Sequence, residues 1–343
     1  MDERLHFPVA APPAPGETLA IAPGVRWVRM PLPFALDHIN LWLIEDGAGW
    51  TLVDSGYAMA SVKALWQRII AGSLGGRPIR RILVTHYHPD HVGLAGWLAE
   101  RFAAPLWMTE KEWLHARVMS GDNEDFAIAR RAFARRAGFD AAASAVFAER
   151  HGSFRRGVPT VPASYHRIAD GARVEIGGRG WQVVIGEGHA PEHACLYCAK
   201  SGVLIAGDQV LPKISPNISV APHEPEGDPL ARYLASLTRL RAAVPDEVLV
   251  LPSHNLPFRG LHRRITELAA HHAARCAEIL AACAQPQSAR ELVPLLFRRP
   301  LDPHQMGFAL GEALAHLHYL AAQGELARET GADGIDRFIR ASL

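Results

Sequence analysis

Cysteine is scarce in this chain, with four residues in 343. So few thiols give no disulfide framework, and a reducing cytosol would keep them as thiols. Cys195 and Cys198 form a C-x-x-C, but it falls inside a strand-like segment where the spacing places the two on opposite faces, which argues against a zinc knuckle. Cys276 and Cys283, seven apart on a helix, share its buried face. A dominant charge is also lacking: 36 Lys and Arg stand against 35 Asp and Glu, for a formal net charge of +1. That balance gives no global bias toward nucleic acid or membrane and weakly favours a small-molecule substrate. No apolar run is long enough to span a bilayer. The start, Met1-Asp2-Glu3-Arg4, leads into a Pro/Ala-rich stretch without the apolar segment of a signal sequence. The expectation is a cytoplasmic protein with no membrane partner.

Histidine, by contrast, is abundant, with 18 residues. The run His86-Tyr87-His88-Pro89-Asp90-His91 follows the apolar segment Ile82-Leu83-Val84-Thr85, so four metal-capable side chains crowd six positions at a strand end. Imidazole and carboxylate are both good ligands for zinc, and a tight turn can aim His86 and His88 at one ion while Asp90 and His91 reach a second. Three separated residues have the right chemistry to join them. His189 stands in a glycine-rich turn after Trp181-Gln182-Val183-Val184-Ile185, Asp208 ends Val203-Leu204-Ile205-Ala206-Gly207, and His254 follows Val248-Leu249-Val250-Leu251-Pro252-Ser253. Each lies just past an apolar strand, where loops on a rigid scaffold carry function.

These motifs, in this order and together with Leu52-Val53-Asp54-Ser55-Gly56, resemble the metallo-β-lactamase fold hydrolases over roughly residues 25 to 260. The resemblance implies an α/β chain with an αββα four-layer sandwich and a dinuclear metal site along one edge. It implies that His86, His88 and His189 hold a first divalent ion, that Asp90, His91 and His254 hold a second, and that Asp208 bridges the two. Zinc is the expected metal, with iron or manganese as the other options. A bridging hydroxide would attack a carbonyl polarised by one ion, with Asp90 also passing a proton. Asp54 has no coordination slot in this scheme and is expected to support ligand imidazoles. His193 is expected to do the same, although Glu192 stands where the family commonly has glycine.

Patterning agrees with that architecture. Apolar strand-length runs (Val25 to Met30, Asn40 to Ile44, Trp50 to Val53, Ile82 to Val84, Ala194 to Cys198) alternate with helix-like stretches at Ala60 to Ile70 and Val92 to Phe102. The expected organisation is an N-terminal extension over 1–24 and a catalytic domain over 25–260 with a helical lid inserted at about 109–162. A connecting helix over 261–285 then leads to a winged-helix-like domain over 286–343. The lid should contain two or three helices and choose the substrate. Its Arg130, Arg131, Arg135 and Arg136 are either a solvated face or a contact for phosphates of a bulky substrate. Ser215 and Asn217, in the Pro/Ser loop after Asp208, and His38 are candidates for lining the substrate pocket. The last helix of the C-terminal module carries Glu312, His316 and His318 but no Lys or Arg, so DNA reading is not expected. RNA is left open as a partner, and so is a homodimer.

Family members that cleave antibiotics usually carry Cys or Ser at the position of Asp208, and oxygen-reducing flavodiiron members carry Glu at that of His88. Both classes are therefore disfavoured. Hydrolysis of a thioester, ester or lactone of a small molecule is the favoured activity. The rivals are a phosphodiesterase or ribonuclease on the same site, a persulfide dioxygenase holding one iron through His86, His189 and Asp208, and a metal-bound interaction protein.

Overall fold

The computed structural model describes residues 5–121, 124–149 and 153–341. Among them a seven-stranded sheet runs β1 (Thr18–Ala22), β2 (Val25–Pro31), β3 (His38–Asp46), β4 (Gly49–Val53), β5 (Ile79–Leu83), β6 (Leu106–Met108) and β7 (His166–Arg167) in spatial order. The first four strands pair antiparallel, and the pairs from β4 to β7 are parallel. The second sheet is ordered β12-β11-β10-β9-β8, from β8 (Arg173–Ile176), β9 (Arg179–Gly186), β10 (His193–Cys198), β11 (Val203–Gly207) and β12 (Leu249–Pro252). The sheets face each other across one core, in which Trp27, Trp42, Ile44, Val53 and Leu83 from the first meet Trp181, Val183, Leu196, Ile205 and Leu251 from the second. A second core on the other face of the first sheet takes in α1 (Ala60–Ala71) and α3 (Ala95–Phe102). A strand such as β3, buried along nearly its whole length, carries the unbroken apolar run Leu41-Trp42-Leu43-Ile44 because both its faces are covered. The αββα sandwich that the resemblance implies is therefore the fold.

Two local expectations change. The stretch Val92 to Phe102 is not one helix: α2 (Pro89–Val92) stops and α3 starts afresh at Ala95. The cause is Leu94, whose N–H donates to Gly56 O and to Ser55 Oγ, both at 3.1 Å, so it is unavailable to continue α2. The insertion contains more helices than expected: α4 (Glu110–Ser120), α5 (Glu124–Arg136), α6 (Ala141–Ala148) and α7 (Ser153–Gly157) among the described residues. After β11 come α8 (Pro229–Ala243), α9 (Leu261–Ala282), α10 (Ala289–Leu296) and α11 (Pro303–Ala322). The hairpin of β13 (Leu326–Thr330) and β14 (Asp336–Arg340) follows.

The chain divides into two compact units, and the division is not linear in sequence. One comprises Met1–Gly121, Ser153–Pro216 and Leu237–Ile265; the other comprises Asp122–Gly152, Asn217–Ser236 and Thr266–Leu343. In the second unit the buried Asp336 accepts from Arg328 at 2.6 Å and Arg136 at 3.2 Å, and from the Thr330 hydroxyl at 2.7 Å. Glu226 accepts from the same two arginines, at 2.7 and 2.9 Å. Arg136 is thus engaged by carboxylates and Arg130 is buried, while Arg131 and Arg135 are exposed. The four arginines therefore do not share one solvated face.

This ring of charges gives a pH prediction. The Arg328 and Arg136 guanidiniums hold Glu226 down to about 2 from an ordinary 4.5. A carboxylate with a depressed folded-state pKa contributes stability above its unfolded value, and that contribution is lost as pH falls through the folded one. Thermal melts should therefore show extra acid sensitivity between pH 4.5 and 2, worth less than about 1 kcal/mol because the pair is exposed. Glu226→Gln should flatten the melting temperature over that window; an unchanged slope would remove Glu226 as its source.

Candidate metal centre

Four strand ends deliver the polar cluster. β5 leads through Val84 and Thr85 to His86, α2 carries Asp90 and His91, the turn between β9 and β10 carries His189, β11 ends beside Asp208, and β12 leads to His254. Three overlapping groups have ligand atoms mutually within 4.8 Å: His86, His88 and His189; His86, His91 and Asp208; and Asp90, His91 and His254. All seven residues named as ligands from the sequence are brought together here.

The donors converge in a way that suits cations. His86 Nε2 lies 2.9 Å from His88 Nδ1 and 3.3 Å from His189 Nε2. Asp208 faces both sides of the cluster, with Oδ2 at 3.4 Å from His189 Nε2 and 3.5 Å from His91 Nε2, and Oδ1 at 3.3 Å from His254 Nε2. Asp90 Oδ2 is 3.6 Å from His91 Nε2 and 3.5 Å from His254 Nε2. His91 Nε2 and Asp208 Oδ1 are buried without a well-formed hydrogen bond. Orphaned buried polar atoms are costly, and inward-pointing lone pairs of imidazole and carboxylate are what a zinc, iron or manganese ion would satisfy.

Burial, reinforced by the neighbouring imidazoles, holds His86 and His88 well below the ordinary histidine value. Both are therefore neutral, the form in which imidazole binds metal. Burial would also depress His91, but Asp54, Asp90 and Asp208 outweigh it and hold His91 well above that value. His254 is raised for a similar reason, with Asp208 opposing its burial. Burial would raise the Asp208 carboxyl, but His254 and His91 keep it well below the carboxylate range.

Outer partners orient these rings. Asp54 Oδ2 accepts from His91 Nδ1 at 2.8 Å, and the Asp54 carboxylate also accepts from the Thr85 N–H and hydroxyl, so the Nε2 lone pair of His91 points inward. Asp54 adopts φ 61°, a strained setting for a residue with a Cβ. Asp54→Ala should weaken metal affinity about 10- to 100-fold while the protein stays folded; chelator competition with zinc would show this, and wild-type affinity would remove Asp54 from the centre. His193 Nε2 accepts from the Asp208 N–H at 3.0 Å, and burial, chiefly, lowers its pKa to about 3, so it stays a neutral acceptor.

The substrate-pocket candidates fall differently. The His38 ring is occupied, with Nδ1 at 2.6 Å from Asp37 Oδ1 and Nε2 accepting from Asn255 N–H at 2.8 Å, while its carbonyl accepts from His254 Nδ1 at 2.7 Å. The His38 carbonyl thus orients His254, while its ring is held by Asp37 and Asn255. Ser215 is half-buried on a loop whose Leu211 and Ile214 carbonyls accept from Arg264. Asn217 belongs to the second unit and exchanges hydrogen bonds with the Ser219 hydroxyl at 2.8 and 3.0 Å.

Two residues escaped notice in the sequence. Asn40, fully buried on β3, donates from its amide to Pro252 O and Asn255 O, stitching the His254 loop to the first sheet. Its signal was a polar residue in an otherwise apolar strand. The other is Glu112, on the first turn of α4, which burial pushes up to about 7 although two backbone N–H groups oppose the shift. An acid at a helix start is ordinary, so nothing marked it.

Fold and donor set together define a metallo-hydrolase whose His/Asp clusters could hold metal. The family model for the metallo-beta-lactamase superfamily matches residues 35–254, and the chain belongs to that superfamily. A second model, for the metallo-beta-lactamase-like C-terminal domain, matches residues 276–341. The crystal structure of a beta-lactamase domain protein from Burkholderia ambifaria is 49% identical, with a TM-score of 0.90 over 98% of both chains. A probable metallo-hydrolase of Bacillus subtilis, YqjP, is 25% identical over 248 residues, covering 69% of this chain and 73% of that protein. A hydroxyacylglutathione hydrolase of Albidiferax ferrireducens is 24% identical over 235 residues, 68% of each. Among the described residues no helix is long and apolar enough to cross a membrane.

Proposed function

We propose that the protein is a dinuclear metal-dependent hydrolase acting on a thioester, ester or lactone of a small molecule. The observation that carries this reading is the pairing of two donor triads, His86/His88/His189 and Asp90/His91/His254, with one carboxylate, Asp208, turned toward both. A centre for a single iron would leave the second triad without a purpose. When bound, two divalent ions, zinc in this reading, would lower the pKa of water and polarise a carbonyl oxygen.

The chain's own groups supply the rest. Asp208 Oδ2 lies beside His189 of the first triad and His91 of the second, and Oδ1 beside His254 of the second, which places a negative charge where two cations would otherwise repel. Asp90 is about one-fifth exposed at its side chain, so it is the carboxylate in the cluster best placed to accept a proton from solvent or substrate. Asp54, His38 and His193 fix the orientation of His91, His254 and Asp208 through the hydrogen bonds described above. The similarity to a hydroxyacylglutathione hydrolase favours a thioester over a phosphodiester. The C-terminal helices and hairpin we read as a winged-helix-like module for assembly or pocket closure; α11 carries no Lys or Arg, which disfavours DNA.

A panel of thioesters, esters, lactones and phosphodiesters, offered to zinc-loaded protein of measured metal content, tests this. The expected result is about two metal equivalents per chain and turnover of a carboxylic thioester or ester. One equivalent of iron with oxygen uptake on glutathione persulfide would overturn it, as would cleavage of phosphodiesters alone.

A further inference from the structure

Glu112 is fully buried on α4, and its two oxygens are spent on two different ligand-bearing turns. Oε2 accepts from the Tyr87 N–H at 2.9 Å, and Oε1 accepts from the Glu192 N–H at 2.6 Å. Tyr87 stands between His86 and His88; Glu192 follows His189 by three positions and immediately precedes His193. Desolvating a carboxylate is costly, and two charge-assisted hydrogen bonds are the compensation.

Glu192 returns the contact. Its Oε2 accepts from the Lys111 N–H at 3.2 Å at the start of α4, its Oε1 lies 3.2 Å from Lys111 Nζ, and its carbonyl accepts from the buried Thr109 hydroxyl at 2.9 Å. The first turn of α4 and the turn between β9 and β10 therefore each hold the other's backbone. A glycine at position 192 would lack the carboxylate for half of this arrangement.

We propose that Glu112 and Glu192 form a reciprocal carboxylate clamp that sets the spacing between the His86–His88 turn and the His189–His193 turn. Glu112 is then a positioning residue for the metal centre, acting through backbone amides without touching the ion. This rests on the reading that His86, His88 and His189 bind one metal. It also gives α4, the first helix of the insertion, a direct hold on the ligand geometry, so a shift of that helix would be felt as a change in metal affinity.

The test compares wild type with Glu112→Gln, which is nearly isosteric but keeps one acceptor oxygen and sets an NH2 against the other backbone N–H. Zinc affinity is read by competition with a chelating dye, geometry by the visible absorption of the cobalt(II)-loaded protein, and folding by circular dichroism and size-exclusion chromatography. The expected result is a folded protein with zinc affinity weakened about 10- to 100-fold and an altered cobalt spectrum. A folded E112Q with wild-type affinity and spectrum overturns the clamp. Should E112Q not fold, Glu192→Ala, which removes only the more exposed half, carries the test. It should weaken zinc binding by at least about threefold, and no change overturns the proposal. Because the readout is metal binding, failure to find an ester substrate leaves this result standing, and unchanged binding sinks the clamp whatever the substrate.

Discussion

Asp208→Ala is expected to lower kcat/KM by at least about 1000-fold, equivalent to ~4 kcal/mol of transition-state stabilisation, while the protein remains folded. The expectation follows from placement. Asp208 is the one carboxylate of the cluster facing the imidazoles of both triads, at 3.3 to 3.5 Å from His91, His189 and His254. In the dinuclear reading proposed above, removing it would take away a ligand common to two ions and the negative charge between them. Folding should survive, because the Asp208 contact that anchors local structure is its backbone N–H to His193, which alanine keeps. Metal content should fall from about two equivalents toward one. Steady-state kinetics with metal analysis checks both, and wild-type turnover would remove Asp208 from the chemistry.

Gly207→Ala should be nearly as damaging although it removes no ligand. Gly207 ends β11 at φ 54°, where an L side chain costs roughly 1–2 kcal/mol. A Cβ there would stand 2.3 Å from His193 Nε2 and 2.4 Å from its Cε1. Relieving that overlap costs a further ~1–3 kcal/mol and moves the ring that holds Asp208 in place. Activity should drop about 100-fold or more, with zinc affinity falling alongside it. Gly178→Ala serves as the control, since its φ is 71° but none of the described residues lies within 4 Å of the added carbon. Denaturant melts and kinetics on the pair separate strain from displacement: G178A should lose stability only, and a G207A protein with full activity would refute the argument.

The metal-capable residues were legible in the sequence because they form one dense run, His86 to His91, and three single positions, His189, Asp208 and His254, that follow apolar strands closely, and local patterning reports strand ends well. Legibility failed where the physics is non-local. Asn40 reaches Pro252 and Asn255 across more than two hundred positions, and no local signal announces that pairing. His38 drew attention as an imidazole, yet the group that orients His254 is its carbonyl, which any residue could supply. Glu112 looked like a helix-start acid because its partners are backbone amides, and amides leave no mark in a sequence. The grouping of Asp122–Gly152 with Asn217–Ser236 and the C-terminal residues was hidden for the same reason: its ties, such as Arg136 to Asp336, join α5 to a hairpin two hundred residues later.

That last tie has a consequence for synthesis. A chain emerging from the ribosome delivers α5 long before β14, so Arg136 must wait for most of the protein before its partner Asp336 exists. Such late closure raises contact order and slows folding. A truncation after α9 is therefore not a clean removal of a C-terminal module. It would strand apolar helices from the middle of the chain, and the truncated protein should be recovered in inclusion bodies or bound to chaperones rather than as a free catalytic domain.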